Sequence, residues 1–314
     1  MHQDDAPRKA APAQSQILPL IALVAANVAL AFGPWFVRMA DSGPVAAAFW
    51  RMMLAAPVLM GASLLLRQQP IRRARGLWWV LGLSGLAFAA DLASWHAGIL
   101  QTTLANSTLF GNVATLIFPV YGFIIARAWP TRLQAIALGL AAAGGGLLLG
   151  RSAQLSPENL VGDLLCLGAG LFYTVYFILM SRVRETMAPL PALALSSIAS
   201  VPLLLVATVL FGESILPGHW GGVFALAMVS QVFGQGLMIY ALGKLSPLVV
   251  GIGLLAQPVV SGAIGWIAYG ERLGGLDFVG AGLVAVALVL VRKGGRTPVQ
   301  LAPVGAQAQR KTHG

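Results

Sequence analysis

Between residues 17 and 292 the apolar residues fall in blocks of membrane-spanning length, separated by short polar stretches. A helix that crosses the hydrocarbon needs about 20 mostly apolar residues. On that basis the pattern predicts ten spanning helices, over 17–37, 44–66, 76–100, 103–126, 132–150, 160–181, 190–211, 219–241, 246–269 and 275–292. The connections hold turn-formers, such as Asp41-Ser42-Gly43-Pro44 and Leu216-Pro217-Gly218. Residues 1–16 and 293–314 are polar or rich in Pro, Ala and Gln, and are expected to be disordered tails. The first block is too long for a signal-peptide core and shows no cleavage signature, so it reads as a retained helix.

Composition agrees with that pattern. Of the 314 residues 58% are hydrophobic and only 10% charged, with a mean hydropathy of +0.81. A soluble domain is about a quarter charged. The single cysteine, Cys166, excludes a disulfide framework, and four scattered histidines suggest no metal site. No cofactor is expected. The net charge of +10 would raise nucleic acid as a partner, but the basic residues sit between and beyond the apolar blocks. That placement reads as topology instead. With the N-terminus inside, the tails and even connections carry Arg8, Lys9, Arg67, Arg72, Arg73, Arg75, Arg127, Arg132, Arg182, Arg184, Lys244, Arg292, Lys293, Arg296, Arg310 and Lys311. The odd connections carry only Arg38, Arg151 and Arg272. A ratio of 16 to 3 predicts both termini in the cytoplasm and an even number of spans.

A shift of 143 residues superimposes much of windows 3–5 on windows 8–10, with Gly139 on Gly282 and Leu116 on Val259. A shift of about 140 relates Phe32 to Phe172. The expected design is an all-α membrane protein of two five-helix repeats, 17–150 and 160–292. Five is odd, so the second copy enters from the opposite side. Inverted repeats recur in transporters, with the substrate site at the midplane.

The run Ala90-Asp91-Leu92-Ala93-Ser94-Trp95-His96, followed by Thr102-Thr103-Leu104-Ala105-Asn106-Ser107-Thr108-Leu109 and Gly111-Asn112, resembles the third and fourth helices of EamA-type transporters. These belong to the drug/metabolite transporter superfamily. Gln257-Pro258-Val259 with Tyr269-Gly270-Glu271-Arg272-Leu273 looks like the family's ninth helix, and Gln235-Gly236 with Tyr240-Ala241-Leu242 like its eighth. Phe49-Trp50-Arg51 resembles the second. The resemblance covers roughly 17–292. The first half departs from it, with Thr115 and Arg127-Ala128-Trp129 where a Pro and a Gly-Glu-Arg are usual, and a proline displaced to Pro119. The resemblance implies a central cavity and movement of small metabolites such as amino acids or drug-like compounds, often outward, across a bacterial inner membrane.

Ionisable groups at membrane depth cost about 2.5 kcal/mol or more and usually face a cavity. Asp91 lies 15 residues into its window, near mid-depth, with Ser94, Trp95 and Gly98 on its face and His96 nearer the outside. It reads as a proton- or substrate-linked carboxylate, or as a tie between helices. Window 4 carries a small and polar stripe of Ala105, Thr108, Asn112, Thr115 and Pro119; window 9 carries Gly253, Gln257, Ser261 and Gly265. Window 8 places Gln231 and Gln235 on one face. Asn27, Asp91, Asn112, Gln235 and Gln257 therefore share one layer, as the wall of a site or as glue between helices. Arg51 either snorkels to the outer face or binds a carboxylate at a cavity. Trp95, Tyr173 and Tyr176 are candidates for stacking on an aromatic substrate. Glu271 is expected to end the ninth helix. Small residues at four-step spacing, Ala137, Ala141 and Gly145 and then Gly162, Cys166 and Gly170, predict close helix approach.

No Walker loop or long soluble segment supports ATP hydrolysis. The expected partners are the lipid bilayer, a small-molecule substrate and protons, with a homodimer left open. A membrane enzyme using Asp91 and His96, and a channel or structural protein, are the competing readings. The charge bias generates the first test. In a Cys166-free background, a single cysteine near residue 70 is expected to resist an impermeant thiol reagent added outside intact cells; labelling there would overturn the orientation.

Overall fold

The computed structural model describes residues 17–102, 107, 110–150, 159–269 and 275–294, and for some residues within the helices only the backbone. Among the described residues the secondary structure is helical throughout. The first unit runs as α1a (Ile17–Ala31) and α1b (Gly33–Met39). It is followed by α2 (Pro44–Leu65), a single turn at Pro70–Arg73, and α3 (Trp78–Ile99). Then come α4 (Ala114–Ala126), α5 (Arg132–Gly150), α6 (Leu160–Val183) and α7 (Pro189–Leu210). The eighth unit joins α8a (Trp220–Ala225), a π-helix (Leu226–Gln235) and α8b (Gly236–Leu242). The described residues end with α9a (Pro247–Leu254), α9b (Ala256–Tyr269) and α10 (Gly275–Gly294).

Five of these units are long and apolar enough to cross a membrane: the first, α2, α6, α7 and the eighth. α3 has the length, but Ser84, Asp91 and His96 dilute its apolar character. Prolines explain two of the breaks. Pro34 and Pro258 lack the amide hydrogen their helices would use, and the chain interrupts just ahead of each, at Phe32 and Leu255. The break in α1 packs on the π-helix, where a Cβ on Gly33 would lie 3.5 Å from Ser230 Oγ. Irregular backbone thus meets irregular backbone inside the protein, away from lipid.

The packing reveals the repeat more clearly than the sequence does. α2 packs on α7, α4 on α9a, and α5 on α10; α3 packs on α6 as α8 does on α1a, and α7 packs on α3 as α2 does on α8. Exchanging each unit for the one five places along maps these pairings onto themselves. A sequence signal for this escaped the comparison of windows: α2 and α7 each have 22 residues, with prolines at Pro44 and Pro57, Pro189 and Pro202. The predicted small-residue faces are used. A Cβ on Gly98 would lie 2.6 Å from Cys166 Sγ, and one on Gly170 2.7 Å from the Gly111 carbonyl oxygen. Ala137 and Ala141 are fully buried in the cluster that includes Ala287.

Loop contacts gather the connections at two ends. Thr102 donates to Asp163 across 2.6 Å, His219 meets Asp41, and Trp50 Nε1 donates to the Ile215 carbonyl at 2.6 Å. At the opposite end Arg184 Nε donates to the Ile239 carbonyl at 3.0 Å. α2 begins where α7 finishes, so these equivalent helices run in opposite senses. The first end is acidic, carrying Asp41, Asp163 and Glu213, whereas the second holds Arg67, Arg72, Arg73, Arg75, Arg127, Arg182, Arg184 and Lys244. Residues 1–16 and 295–314 of the expected tails, with Arg151, Glu271 and Arg272, lie outside the described residues, while Lys293 and Gly294, expected in the C-terminal tail, belong to α10.

Two loops on the acidic end cap each other's helices. Glu213 accepts from the backbone N–H of Ala46 at 2.8 Å and of Val45 at 3.3 Å, in the first turn of α2. Asp41 accepts from the backbone N–H of His219 at 2.8 Å, at the start of α8a, and lies 2.8 Å from its ring Nδ1. These bonds hold the Asp41 carboxyl below its usual range. Capping of this kind is worth about 1 kcal/mol. Glu213→Ala is therefore expected to lower the unfolding free energy by about that amount, seen as a lower melting temperature of the detergent-solubilised protein. An unchanged melt would show the cap to be idle.

Candidate functional site

The site is assembled from both repeats, with α2 and α3 on one side and α6, α7 and α8 on the other. Arg51 on α2 is 5% exposed. It does not snorkel to the outer face; the packing of α7 and α8 on α2 closes that route. Its Nε donates to Gln231 Oε1 at 2.9 Å, and Gln231 Nε2 donates to Ser197 Oγ at 3.2 Å. Gln231 and Ser197 are fully buried. The guanidinium carbon lies 5.9 Å from the centre of the Phe88 ring, a cation–π approach.

One turn along α3 from Phe88, Asp91 is 9% exposed. Its carboxylate and Arg51 are within electrostatic reach of each other, as both are of Tyr173 and Tyr176. Among the described residues no ion-pair contact joins Asp91 to Arg51. The wall beside them is aromatic. Tyr176 stacks on Phe88 with centroids 4.3 Å apart and 13° between planes, and Tyr173 lies 4.2 Å from Phe177. Tyr173 Oη donates to Gln235 Oε1 at 3.3 Å. Among the described residues Tyr176 Oη and Gln235 Nε2 are sealed from solvent and find no hydrogen-bond partner. Both glutamines stand on the π-helix, a rare form that is frequent at functional sites.

The other expected site residues fall elsewhere. Asn27 and Gln257 pair with each other, Gln257 Nε2 donating to Asn27 Oδ1 at 2.9 Å, while Asn27 Nδ2 donates to the Leu23 carbonyl at 2.7 Å. His96 is fully buried, and its Nδ1 lies 2.6 Å from the Pro44 carbonyl oxygen, at the start of α2. It borders a cavity of about 450 Å³ with Val37, Ala40 and Ser42 near the acidic end. Trp95 turns to α4's approach, where a Cβ on Gly111 would meet its Nε1 at 3.0 Å, and half-buried Asn112 follows Gly111. Ala105 and Thr108, and the side chain of Ser261, lie outside the described residues.

Sequence reasoning missed Phe88 and Ser197 and gave Gln231 no role. The i,i+4 spacing of Gln231 and Gln235 was the available signal; nothing in the residue pattern announces a π-helix. Among the described residues no group of three or more His, Cys, Asp or Glu could hold a metal ion.

A helical bundle of two packed repeats, with a charged and aromatic layer between them, is the architecture of a membrane transporter. The sequence pattern of the EamA-like transporter family matches residues 17–150 and again 160–293, and the chain belongs to that family, within the drug/metabolite transporter superfamily. A solved structure described as "Crystal structure of protein" is 17% identical, with a TM-score of 0.74 over 88% of this chain and 96% of its own. That likeness is one of fold. No curated protein matches the chain.

The Asn27–Gln257 pair generates a test. Such bonds in membranes couple by about 0.6 kcal/mol. Asn27→Leu, Gln257→Leu and the double variant, melted in detergent, are expected to show a coupling of that size with solute exchange retained. Lost exchange at unchanged stability would move the pair into the site.

Proposed function

We propose that this protein is a secondary transporter that exports small metabolites across a bacterial inner membrane by alternating access, without ATP hydrolysis. The observation that carries this reading is the layer of buried Arg51, Asp91 and Gln235 with half-buried Tyr173, drawn from both repeats. Placing a site between two pseudo-symmetric halves lets rocking of one half against the other expose it to either side in turn. Pro57 and Pro202, at equivalent places inside α2 and α7, suit such motion, since each leaves a carbonyl without its helical partner. In this reading ten helices span the bilayer, the basic end and both tails face the cytoplasm, and the acidic end faces outward. Protons supply the driving gradient, through Asp91.

The competing enzyme reading finds no support in the geometry. Asp91 and His96 do not form a joint acid–base pair, because His96 is engaged with the Pro44 carbonyl near the acidic end.

Purified protein in liposomes tests the proposal. Preloading with a mixed metabolite library and adding labelled members outside is expected to give saturable counterflow, and an imposed pH gradient is expected to drive accumulation. Conductance without saturation, or chemical conversion of a library member, would overturn the reading. Counterflow that ignores the pH gradient would remove protons from it.

A further inference from the structure

The connection between α2 and α3 concentrates positive charge. Arg67, Arg72, Arg73 and Arg75 fall within nine residues, and from Ser42 to Ala90 the sequence holds no Asp or Glu. All four side chains are exposed. Among the described residues their one side-chain hydrogen bond runs from Arg72 Nη1 to Gln69 Oε1 at 3.3 Å, and none of them pairs with a carboxylate. Glu185, on the connection between α6 and α7 at the same end, lies within electrostatic reach of Arg182 instead. A topological signal needs basic residues in a connection, but it does not need them held in place.

Here they are held. Arg67, Gln69 and Gly76 take left-handed backbone, at φ 53°, 50° and 82°. The first two carry a Cβ, for which that region is strained. Between these bends Pro70–Arg73 forms one helical turn, closed by Arg73 N–H donating to the Gln69 carbonyl and Ala74 N–H to the Pro70 carbonyl, both at 3.0 Å. Pro70 is buried, Ala74 fully so within the main apolar cluster, and the turn packs on α2 of the first repeat and α7 of the second. With those two residues turned inward as pegs, Arg72, Arg73 and Arg75 stand outward on a fixed backbone. Their flanks are apolar. Leu65 is 85% exposed and Trp79 78%, and Leu66 and Ile71 are exposed as well. Side chains of this kind at the ends of α2 and α3 belong at the membrane–water boundary, where indole rings settle at headgroup level. The guanidinium groups therefore stand beside the lipid phosphates, with hydrocarbon next to them.

We infer that this turn is a binding surface for an anionic phospholipid, whose phosphodiester accepts from the guanidinium groups of Arg72, Arg73 and Arg75 and whose acyl chains lie against Leu65, Leu66 and Trp79. Phosphate oxygens match the two-pronged donor geometry of arginine. Clusters of arginine at the end of a spanning helix attract anionic headgroups. A soluble phosphate would satisfy the charges and leave the exposed leucines and tryptophan without a partner; a lipid occupies both. Because the turn rests on helices of both repeats, a lipid held there braces one end of the junction between the halves. The inference requires only that the basic end meets a bilayer surface, so it stands apart from the transporter reading and from the direction in which the chain is inserted.

The test measures lipid retained by the purified full-length protein. Detergent micelles containing equal dioleoyl-phosphatidylglycerol and dioleoyl-phosphatidylcholine are mixed with the protein, and bound lipid is read by native mass spectrometry. Wild-type protein is expected to retain phosphatidylglycerol over phosphatidylcholine by about tenfold or more. The triple change Arg72→Gln, Arg73→Gln and Arg75→Gln is expected to abolish that preference, at about fivefold for each arginine. The corresponding triple change to Lys is expected to keep part of it, since the charge stays and the paired donors go. Arg127→Gln, Arg132→Gln and Lys244→Gln together, basic residues of other connections at the same end, are expected to leave the preference largely unchanged. Excess glycerol phosphate is expected not to displace the lipid. Equal retention of the two lipids by the wild type overturns the inference. Equal loss in the two neutralised variants also overturns it, by assigning the effect to the charge of the whole face, and displacement by glycerol phosphate overturns it in favour of a soluble anion. Should the Gln variant fail to fold, the wild-type preference, the Lys variant and the glycerol phosphate competition still decide.

Discussion

Hydrocarbon offers no hydrogen bonds, and that constraint shapes this molecule from end to end. Each unsatisfied peptide group exposed to lipid costs several kcal/mol, so spans are helical and departures from the helix must be sheltered by protein. The departures here obey that rule. The break at Phe32 in α1 faces the π-helix of α8 through Gly33 and Ser230, and the break at Leu255 is 3% exposed. At the helix ends, where water returns, the free amides of α2 and α8a are taken up by Glu213 and Asp41 from distant loops. The backbone requirement therefore places the irregular, adaptable segments in the interior of the bundle.

The same solvent makes every interior charge a decision. Placing a guanidinium at depth costs about 2.5 kcal/mol or more. A protein built only for stability would complete Arg51 with a carboxylate or replace it with leucine. This chain instead fastens one edge of Arg51 to Gln231, rests its face against Phe88, and keeps Asp91 near without contact. The π-helix contributes by widening the turn that carries Gln231 and Gln235, so that one helix reaches toward both Arg51 and Tyr173. The layer is tightly packed on its aromatic side and open at its charged ends.

Much of the helical frame is legible in the sequence, because a bilayer imposes a length and an apolar composition on each helix and little else competes. The windows 44–66 and 160–181 lie within a residue or two of the helices found at Pro44–Leu65 and Leu160–Val183. The small-residue faces around Cys166 are legible for a similar reason, since such approach needs small side chains. The site is less so. Asn27 and Gln257 were grouped with Asp91 by depth alone, but depth does not say which way a side chain turns, and these two turn toward each other. Phe88 and Ser197 look like ordinary bundle residues until α3 and α7 are placed beside Arg51. The π-helix has no residue code, because it follows from packing against α1 and α2.

α3 finds its main partner in α6, and α1a in α8, so the most extensive packing of each of these helices is with the other five-helix half. During synthesis α3 is complete about 84 residues before α6 is. At roughly 5–20 residues per second it waits about 4–17 seconds for that partner. Throughout that interval the glycine face of α3 and the Asp91 carboxylate have no helix to close over them. Interlocking of the halves thus makes the chain's assembly a single late event, in which the last helices inserted complete the environment of residues made first.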